Sequence, residues 1–472
     1  MKKRAIVWFR QDLRLHDNEA IEQAIRLADE VIYIYVFDER TFLGKTKFGF
    51  AKTGQFRAKF IFQAVQDLKH SLEAQGASLH TFLGKPEEII ANIAKEYKTS
   101  WVFCNRERTT EELQVQDALE QKLWTIGQEM IYSRGKLLYH TQDLPFPIAH
   151  TPETFTSFRK EVEKTVPIRL PIAVPNELKN FKVITEDQGV TLEDLGHTHF
   201  EADDRTAIFF EGGETKALER LQYYLWETDL IKSYKETRNE LLGPDYSSKL
   251  SPWLAQGCLS PKLVYHELKR YESAKGANES TYWLFVELLW RDYFRLVGKK
   301  YQNRIFFNSG IQATRNKKGA IDQEKFGKWQ EGTTGVPLID ANMIELKQTG
   351  FMSNRGRQLV ASFLIHELGL DWTMGADYFE SALVDYDVCS NWCNWNYLAG
   401  VGTDPREDRH FNILRQAKQY DGEGKYVKHW LQLFTNVPSE KIHQPSSLTA
   451  SEITENGLTL PDRYYNPIVH LN

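Results

Sequence analysis

The 472-residue sequence has only four cysteines and no long apolar run, and both shortages limit what the protein can be. So few cysteines cannot form a disulfide framework, and no second cysteine or histidine pair at zinc-finger spacing accompanies them. We therefore expect no metal site and four small buried residues. No apolar run reaches the about 20 residues that span a bilayer. The cysteines are Cys104, Cys258, Cys389 and Cys393.

Other motifs are missing as well. The opening residues, MKKRAIVWF, carry no signal-peptide pattern, so we expect a soluble, cytoplasmic protein with no membrane partner. No GxxxxGK[ST] phosphate loop occurs, and the first predicted strand is followed by RQDLRLHDNEAI rather than a glycine fingerprint. A P-loop NTPase, a dinucleotide dehydrogenase and other ATP-using α/β enzymes are therefore poorly supported. The net charge of −5 leaves DNA binding open, because a local basic groove matters more than total charge.

Hydrophobic periodicity predicts two folded domains, as the length of the chain also suggests. Up to about residue 135, β-rich runs alternate with helical patterns, which predicts an α/β domain with a parallel, Rossmann-like sheet over 1–135. Proline-rich, acidic sequence predicts a long surface linker over 136–205. Amphipathic patterns then predict an all-α domain over 206–435, followed by a loop-rich tail over 436–472. The predicted strands are 5–9, 31–37, 78–84, 100–104 and 130–133.

Three segments of the helical half place polar or aromatic side chains on one face of an apolar helix, because residues three or four apart are neighbours. An amphipathic helix with an internal salt bridge explains any one of them. Burying so many charges and amides in one domain is costly unless a polar ligand satisfies them, which indicates a large cofactor. The sets are Glu287, Trp290 and Arg291; Asn354, Arg357 and Gln358; and Asp387, Asn391 and Trp395, with Asp385 just before.

The chain resembles the photolyase/cryptochrome family from WFRQDLRLHDNEAI near its start to HFNILRQAKQYDGEGKYVKHWL near residue 431. It is most similar to the DASH branch in LYHTQDLPF, DYSSKLSPWLAQGCLSP, GFMSNRGRQLVASF and DYDVCSNWCNWNYLAGVGTDPREDRHFNILRQAKQYD. The resemblance implies an N-terminal α/β antenna domain and a C-terminal helical domain that binds FAD. It also implies light-dependent repair of cyclobutane pyrimidine dimers by an electron from excited reduced FAD.

The resemblance assigns residues to the FAD site. Asn391 matches the position that faces flavin N5, where a neutral amide can hydrogen-bond N5 in either redox state and adds no negative charge beside the anionic reduced flavin. Asparagine at this position favours the repair-type branch over photoreceptors. The hydroxyl-rich segment 247–254 is suited to phosphates, although a helix N-cap cluster has a similar composition. The other implied FAD residues are Tyr234, Ser247, Ser248, Lys249, Leu250, Ser251, Arg291, Asn354, Arg357, Asp385 and Asp387.

A second set of residues is implied for the lesion. Glu287 matches the carboxylate that hydrogen-bonds the dimer, with Trp290 and Asn354 beside it. Gln358 and Tyr397 stand where double-strand photolyases carry Met and Trp, which implies a wider, more polar pocket. Because a dimer must leave the base stack, we expect a preference for single-stranded over duplex DNA. A basic rim for the phosphates is expected from Arg355, Arg409, Arg415 and Lys418, each of which alone is also compatible with ordinary surface charge.

The tryptophans depart from the family pattern. Trp395 and Trp372 match the two inner members of the family's photoreduction chain, but the outer position falls at Gly319. Photoreduction by the usual exit is therefore in doubt. DASH proteins usually have Tyr-Gly where this chain has Trp392 and Cys393, and the extra indole is either an alternative electron route or a packing variant.

The antenna and the overall function leave alternatives open. Glu107 lies near the family's folate-contacting carboxylate, which implies 5,10-methenyltetrahydrofolate as antenna, but an acid at a helix start is an equal explanation. A blue-light photoreceptor or transcriptional regulator that binds DNA without efficient repair would share the same FAD site. Glu287, Asn354 and Asn391 favour repair. We expect the protein to be a monomer.

Overall fold

The computed structural model describes residues 2–181, 189–312, 318–404 and 410–471. Its N-terminal part contains a five-stranded parallel sheet with strand order β3-β2-β1-β4-β5. The strands read as almost continuous apolar runs because both faces of the sheet are covered. The predicted parallel α/β domain is confirmed. The strands are β1 (Arg4–Phe9), β2 (Glu30–Asp38), β3 (Leu79–Gly84), β4 (Trp101–Asn105) and β5 (Glu129–Ser133).

Helices surround the sheet and then make up the C-terminal part, which confirms the predicted helical domain. Those of the first part are α1 (Glu19–Leu27), α2 (Glu39–Phe42), α3 (Gln55–Glu73), α4 (Pro86–Glu96), α5 (Thr110–Thr125) and α6 (Phe155–Thr165). The later ones are α7 (Glu214–Gln222), α8 (Tyr234–Thr237), α9 (Ser251–Gln256), α10 (Pro261–Lys275), α11 (Glu279–Tyr301), α12 (Gln323–Gln330), α13 (Pro337–Thr349), α14 (Asn354–Ser362), α15 (Trp372–Ala382), α16 (Val388–Leu398), α17 (Ile413–Tyr420), α18 (Lys425–Trp430) and α19 (Ala450–Glu455).

The two faces of the sheet belong to different cores. Successive side chains of a strand point to opposite faces. Ile6 and Trp8 of β1 join the core that α4 and α5 close, whereas Val7 and Phe9 join the larger core that continues into the helical domain. The sheet and the helical domain therefore share apolar packing, and this fixes the space between them.

The loop after β1 fastens the two domains through buried polar groups. The Glu214 carboxylate accepts hydrogen bonds from the backbone N–H groups of Leu15 (2.6 Å) and His16 (3.1 Å) and pairs with the His16 ring. Burial raises the pKa of Glu214, but His16 and these N–H groups outweigh it and lower the pKa overall. Arg14 donates to the carbonyl of Gly257 at 2.7 Å. The unusual density of polar residues in RQDLRLHDN thus serves domain attachment.

The segment predicted as a surface linker is more deeply packed than its proline content suggested. It contains α6, whose Phe158 and Val162 are fully buried. The Tyr293 hydroxyl of α11 donates to the carbonyl of Glu153 at 2.7 Å just before that helix. The amphipathic pattern of α6 is short and is flanked by proline-rich sequence, so the helix is difficult to predict from the sequence. The domain boundaries given above remain predictions.

No helix within the described ranges is long and apolar enough to cross a membrane. All four cysteines are buried, as expected. The segment predicted as a loop-rich tail contains Tyr464, which is fully buried and packs edge-on against Phe434 with ring centroids 4.7 Å apart.

We expect Glu214→Ala to destabilise the whole chain by about 2–4 kcal/mol, because two buried N–H groups lose their acceptor. The measurement is the free energy of unfolding from denaturant titration, and Glu219→Ala, an exposed carboxylate on the same helix, is the matched control. If the two variants had equal free energies of unfolding, the hydrogen bonds of Glu214 to Leu15 and His16 would contribute nothing to stability.

Candidate cofactor and active site

A cavity of about 310 Å³ lies in the helical domain, between α9, α11, α14 and α16. Members of all three predicted polar sets reach its wall, together with the hydroxyl-rich segment before α9. Side chains separated by more than 160 residues are thus brought into one space. The predicted residues that line it are Tyr234, Ser247, Ser248, Lys249, Leu250, Ser251, Glu287, Arg291, Asn354, Arg357, Gln358, Asp385, Asp387, Asn391 and Trp395.

Asp385 presents an unused acceptor at the cavity wall. Its Oδ2 atom accepts from the Ser251 hydroxyl (2.6 Å) and from Arg357 Nη2 (2.9 Å). Its Oδ1 atom is buried and has no hydrogen-bond partner among the described residues. Buried carboxylate oxygens are normally satisfied, so the free oxygen indicates a ligand that donates an N–H or O–H group.

Asp387 forms the N-cap of α16 and sits in a cluster of buried charge. Its side chain accepts from the backbone N–H of Ser390 at 2.9 Å and pairs with Arg295. Burial alone would raise the pKa of Asp387, but Arg295 and Arg291 outweigh it and lower the pKa. The carboxylate is therefore ionised and electrically compensated inside the wall.

Arg291 is hydrogen-bonded by backbone carbonyls, and the buried carboxylate of Asp292 lies 3.9 Å from its Nη1 atom. Arg291 donates to the carbonyls of Lys136 (2.7 Å) and Leu254 (3.0 Å), and burial lowers its pKa to about 10. Arg295, the partner of Asp387, was not found from the sequence. Its position four residues after Arg291 on α11 is the signal that could have found it.

Asn391 offers a neutral amide to the cavity. Its side-chain N–H donates to the carbonyl of Ala376 at 2.9 Å. A carbonyl can only accept, so this bond fixes the nitrogen end of the amide against α15 and leaves the amide oxygen and one N–H for a ligand. Asn391 is thus pre-oriented without adding charge.

The segment before α9 carries a buried cation. Lys249 has a left-handed backbone (φ 53°), and its ammonium group lies 3.8 Å from the centre of the Tyr246 ring. Burial lowers the pKa of Lys249 to about 7, although Glu345 acts against it. A phosphate at this wall would favour the charged ammonium. Lys249, the free oxygen of Asp385 and the Asn391 amide together fit the FAD implied by the resemblance.

The lesion residue Glu287 pairs with Arg238, a residue that the sequence did not single out. Burial lowers the pKa of Arg238, but Glu287 and Tyr234 outweigh it and raise the pKa overall. Arg238 directly follows the four-residue helix α8 and is not part of an amphipathic pattern. Its contact with Glu287 of α11 is therefore the feature that identifies it as a site residue.

Trp290 and Tyr397 lie beside the cavity rather than in its wall. The Trp290 ring stacks on Phe155 with centroids 3.7 Å apart and planes 11° apart, and it meets Tyr397 edge-on at 6.2 Å. Glu287 and Arg291 therefore share the cavity, whereas Trp290 turns towards α6. The role of Phe155 could not be read from the linker sequence.

The predicted basic rim is partly visible. Arg355 donates to Gln358 at 2.9 Å and lies over the Tyr420 ring at 4.7 Å. Arg415 and Lys418 are exposed on α17. Arg409 lies outside the described residues.

Trp372 and Gly319 lie behind the cavity. Trp372 is fully buried at the start of α15. At Gly319 a Cβ atom would lie 2.3 Å from the Leu370 backbone, so no side chain fits there. The structure therefore agrees with the absence of an outer aromatic ring at that position.

A second cavity, of about 720 Å³, lies between the sheet and the helical domain, and Glu107 lines it. The Glu107 carboxylate pairs with Lys136. Helix α5 is capped by Thr109 and Glu112, and Glu107 lies in the loop two residues before Thr109.

Two family models match most of the chain. The one described as "DNA photolyase" matches residues 5–176, and the one described as "FAD binding domain of DNA photolyase" matches residues 283–472. Among curated proteins, the chain is 48% identical to a cryptochrome DASH of Synechocystis over 99% of this chain and 95% of that protein. It is 46% identical to a cryptochrome DASH of Xenopus laevis, over 98% of this chain and 89% of that protein.

Solved structures agree with these matches. A crystal structure of a Synechocystis cryptochrome superposes with a TM-score of 0.95 at 46% identity, covering 100% of this chain and 97% of that one. A bacterial class III photolyase from Agrobacterium tumefaciens superposes with a TM-score of 0.86 at 30% identity, covering 100% and 95% of the two chains.

We expect Asp385→Ala to weaken FAD binding by about ten- to hundredfold, because the ligand loses a buried hydrogen-bond acceptor and Arg357 loses its partner. The measurement is the FAD content and the dissociation constant of the purified protein. Asp117→Ala, at an exposed carboxylate on α5, is the control. Unchanged FAD affinity in Asp385→Ala would exclude this carboxylate as a ligand contact.

Proposed function

Because the chain belongs to the photolyase/cryptochrome family, and within it to the DASH cryptochromes, we propose that it repairs cyclobutane pyrimidine dimers in a light-dependent reaction, preferentially in single-stranded DNA. The reaction class would be that of a deoxyribodipyrimidine photo-lyase, which breaks carbon–carbon bonds. The observation that carries the proposal is that one cavity holds both the neutral amide of Asn391 and the carboxylate of Glu287. A photoreceptor has no need of the second group.

Residues of the cavity wall would orient FAD and set the charge around its ring. Bound FAD, once reduced and excited by light, supplies the electron that splits the dimer. Asp385 accepts a hydrogen bond from the cofactor, held in place by Ser251 and Arg357. Asn391 adds a hydrogen-bonding amide without adding negative charge near the reduced ring.

The Glu287–Arg238 pair has a separate task. Glu287 is an acceptor for the N–H groups of the dimer, and the ion pair with Arg238 orients its carboxylate. The same cation compensates the negative charge that Glu287 brings near an anionic reduced flavin. A lone carboxylate in this place would oppose the reduced state, so the pairing matters as much as the contact with the lesion.

Two features support a preference for single-stranded DNA. Gln358 brings a polar amide to the wall and accepts from Arg355. One face of Trp290 is already covered by Phe155 at 3.7 Å, so only the other face is open to a flipped base. Because a flipped dimer gains little stacking on Trp290, binding does not offset the cost of unpairing it from a duplex. A dimer in single-stranded DNA does not have this cost and binds more favourably.

For the antenna we propose 5,10-methenyltetrahydrofolate in the cavity of about 720 Å³ between the domains. Glu107 would orient it, since a buried carboxylate accepts the N–H groups of a pterin ring, and the pairing with Lys136 holds Glu107 in place. We also propose that the protein works as a monomer in the cytoplasm. A DNA-binding photoreceptor without efficient repair is the alternative function.

The decisive measurement is repair of a defined dimer-containing oligonucleotide, single- or double-stranded, under blue light with reductant. We expect bound flavin and light-dependent repair that is faster on the single strand. Bound flavin without repair of either substrate would favour the photoreceptor. Equal rates on both substrates would remove the strand preference but leave the lyase activity.

We expect Glu287→Ala to lower the repair rate about ten- to hundredfold while FAD stays bound, because the dimer loses a charged hydrogen-bond partner. Repair is measured on the single-stranded oligonucleotide and flavin by absorbance. Glu279→Ala, an exposed carboxylate at the start of the same helix, is the control. Repair by Glu287→Ala at the rate of the unaltered protein would take Glu287 out of the reaction.

A further inference from the structure

Three buried indoles lie together behind the FAD cavity. Trp395 lines that cavity, and its ring covers Gly375 so closely that a Cβ atom there would lie 2.2 Å from it. Trp372 precedes Gly375 by three residues on α15, which places it on the same helix face. The Trp395 ring is thus next to the helix surface that carries Trp372.

The third indole, Trp392, reaches the other cavity. It precedes Trp395 by three residues on α16, and its ring centroid lies 5.9 Å from that of Trp372 at an angle of 72°. Trp392 also lines the cavity between the domains, where its ring meets Phe306 edge-on at 5.0 Å. The three indoles therefore connect the wall of one cavity with the wall of the other.

A chain of aromatic rings cannot continue from the FAD cavity through position 319. Its backbone is pressed against Leu370 and Asp371, so no ring fits at that position. Trp329 is the other indole near this cluster: its ring lies 6.2 Å from Phe379, which in turn lies 5.2 Å from Trp395. However, Trp329 is fully buried, its N–H donates to the Val360 carbonyl, and it lines neither cavity.

We propose that Trp392 is the outer member of an electron relay, Trp395 to Trp372 to Trp392, through which oxidised FAD is photoreduced from the cavity between the domains. One electron passes from Trp395 to the light-excited, oxidised FAD. Trp372 refills Trp395, and Trp392 refills Trp372, so that the oxidising equivalent ends on Trp392. A small thiolate that enters this cavity from solvent then gives one electron to the Trp392 radical and becomes a thiyl radical, while the proton that Trp392 released returns to its buried nitrogen. Two thiyl radicals combine to a disulfide.

The proton balance requires an acceptor near Trp392, and the structure provides one. The Trp392 N–H is buried without a hydrogen-bond partner among the described residues, and Trp392 and Tyr386 line the same cavity between the domains. Tyr386 donates to Glu380 at 2.8 Å, and both line the cavity between the domains. The Trp392 radical cation loses its proton to the Tyr386 oxygen as the phenol proton moves to Glu380, whose pKa burial raises.

The test uses the FAD-loaded, oxidised protein without DNA, under blue light with dithiothreitol and without oxygen. We expect Trp392→Phe to slow flavin photoreduction at least about tenfold with unchanged FAD content, because the last electron donor is lost. Trp329→Phe, the matched control, should photoreduce at the rate of the unaltered protein, and Trp392→Tyr should restore part of the rate.

A second readout does not depend on flavin reduction. After illumination in air without thiol, peptide mass spectrometry should find the oxidised product at Trp392 and not at Trp329. Photoreduction of Trp392→Phe at an unchanged rate, or oxidation at another residue, would overturn the relay. The relay needs bound FAD but not dimer repair. With FAD excited directly and no folate bound to either protein, repair by chemically reduced Trp392→Phe should equal that of the unaltered protein. A failed relay and a failed repair function are therefore distinguishable.

Discussion

The compensation of buried charge in the FAD cavity is the constraint on which the rest of the structure depends. Two ion pairs, Asp385 with Arg357 and Asp387 with Arg295, hold two carboxylates inside a helical core. A buried charge is tolerated only when it is paired and hydrogen-bonded. The pairing fixes how α11, α14 and α16 approach one another, and the one free oxygen of Asp385 shows where the protein still needs a ligand.

Helix α16 connects the cofactor site with the rest of the molecule. Its first turn is capped by Asp387, its middle presents Asn391 to the cavity, and its indoles Trp392 and Trp395 face different cavities. A single eleven-residue helix therefore sets the charge, the hydrogen bonding and the aromatic surroundings of the flavin. Small changes in its packing would alter all three at once.

Particular residues show how far sequence reasoning reached. The strands and the three polar sets could be predicted because the side-chain periods of strands (two residues) and helices (about 3.6 residues) appear in the local sequence. Arg238, Arg295 and Phe155 were not, since each acts through a contact far along the chain. The linker was underestimated for the same reason, because the burial of Phe158 depends on α11 and not on its own neighbours.

The sequence by itself determined the parallel sheet, the helical domain and the family, and many of the polar residues it named line the FAD cavity. Only the tertiary structure decided which of them act together: Glu287 with Arg238, Trp290 with Phe155, and Trp392 with Trp372. The physical reason is that local pattern fixes secondary structure and the buried face, whereas pairs between helices depend on how those helices cross.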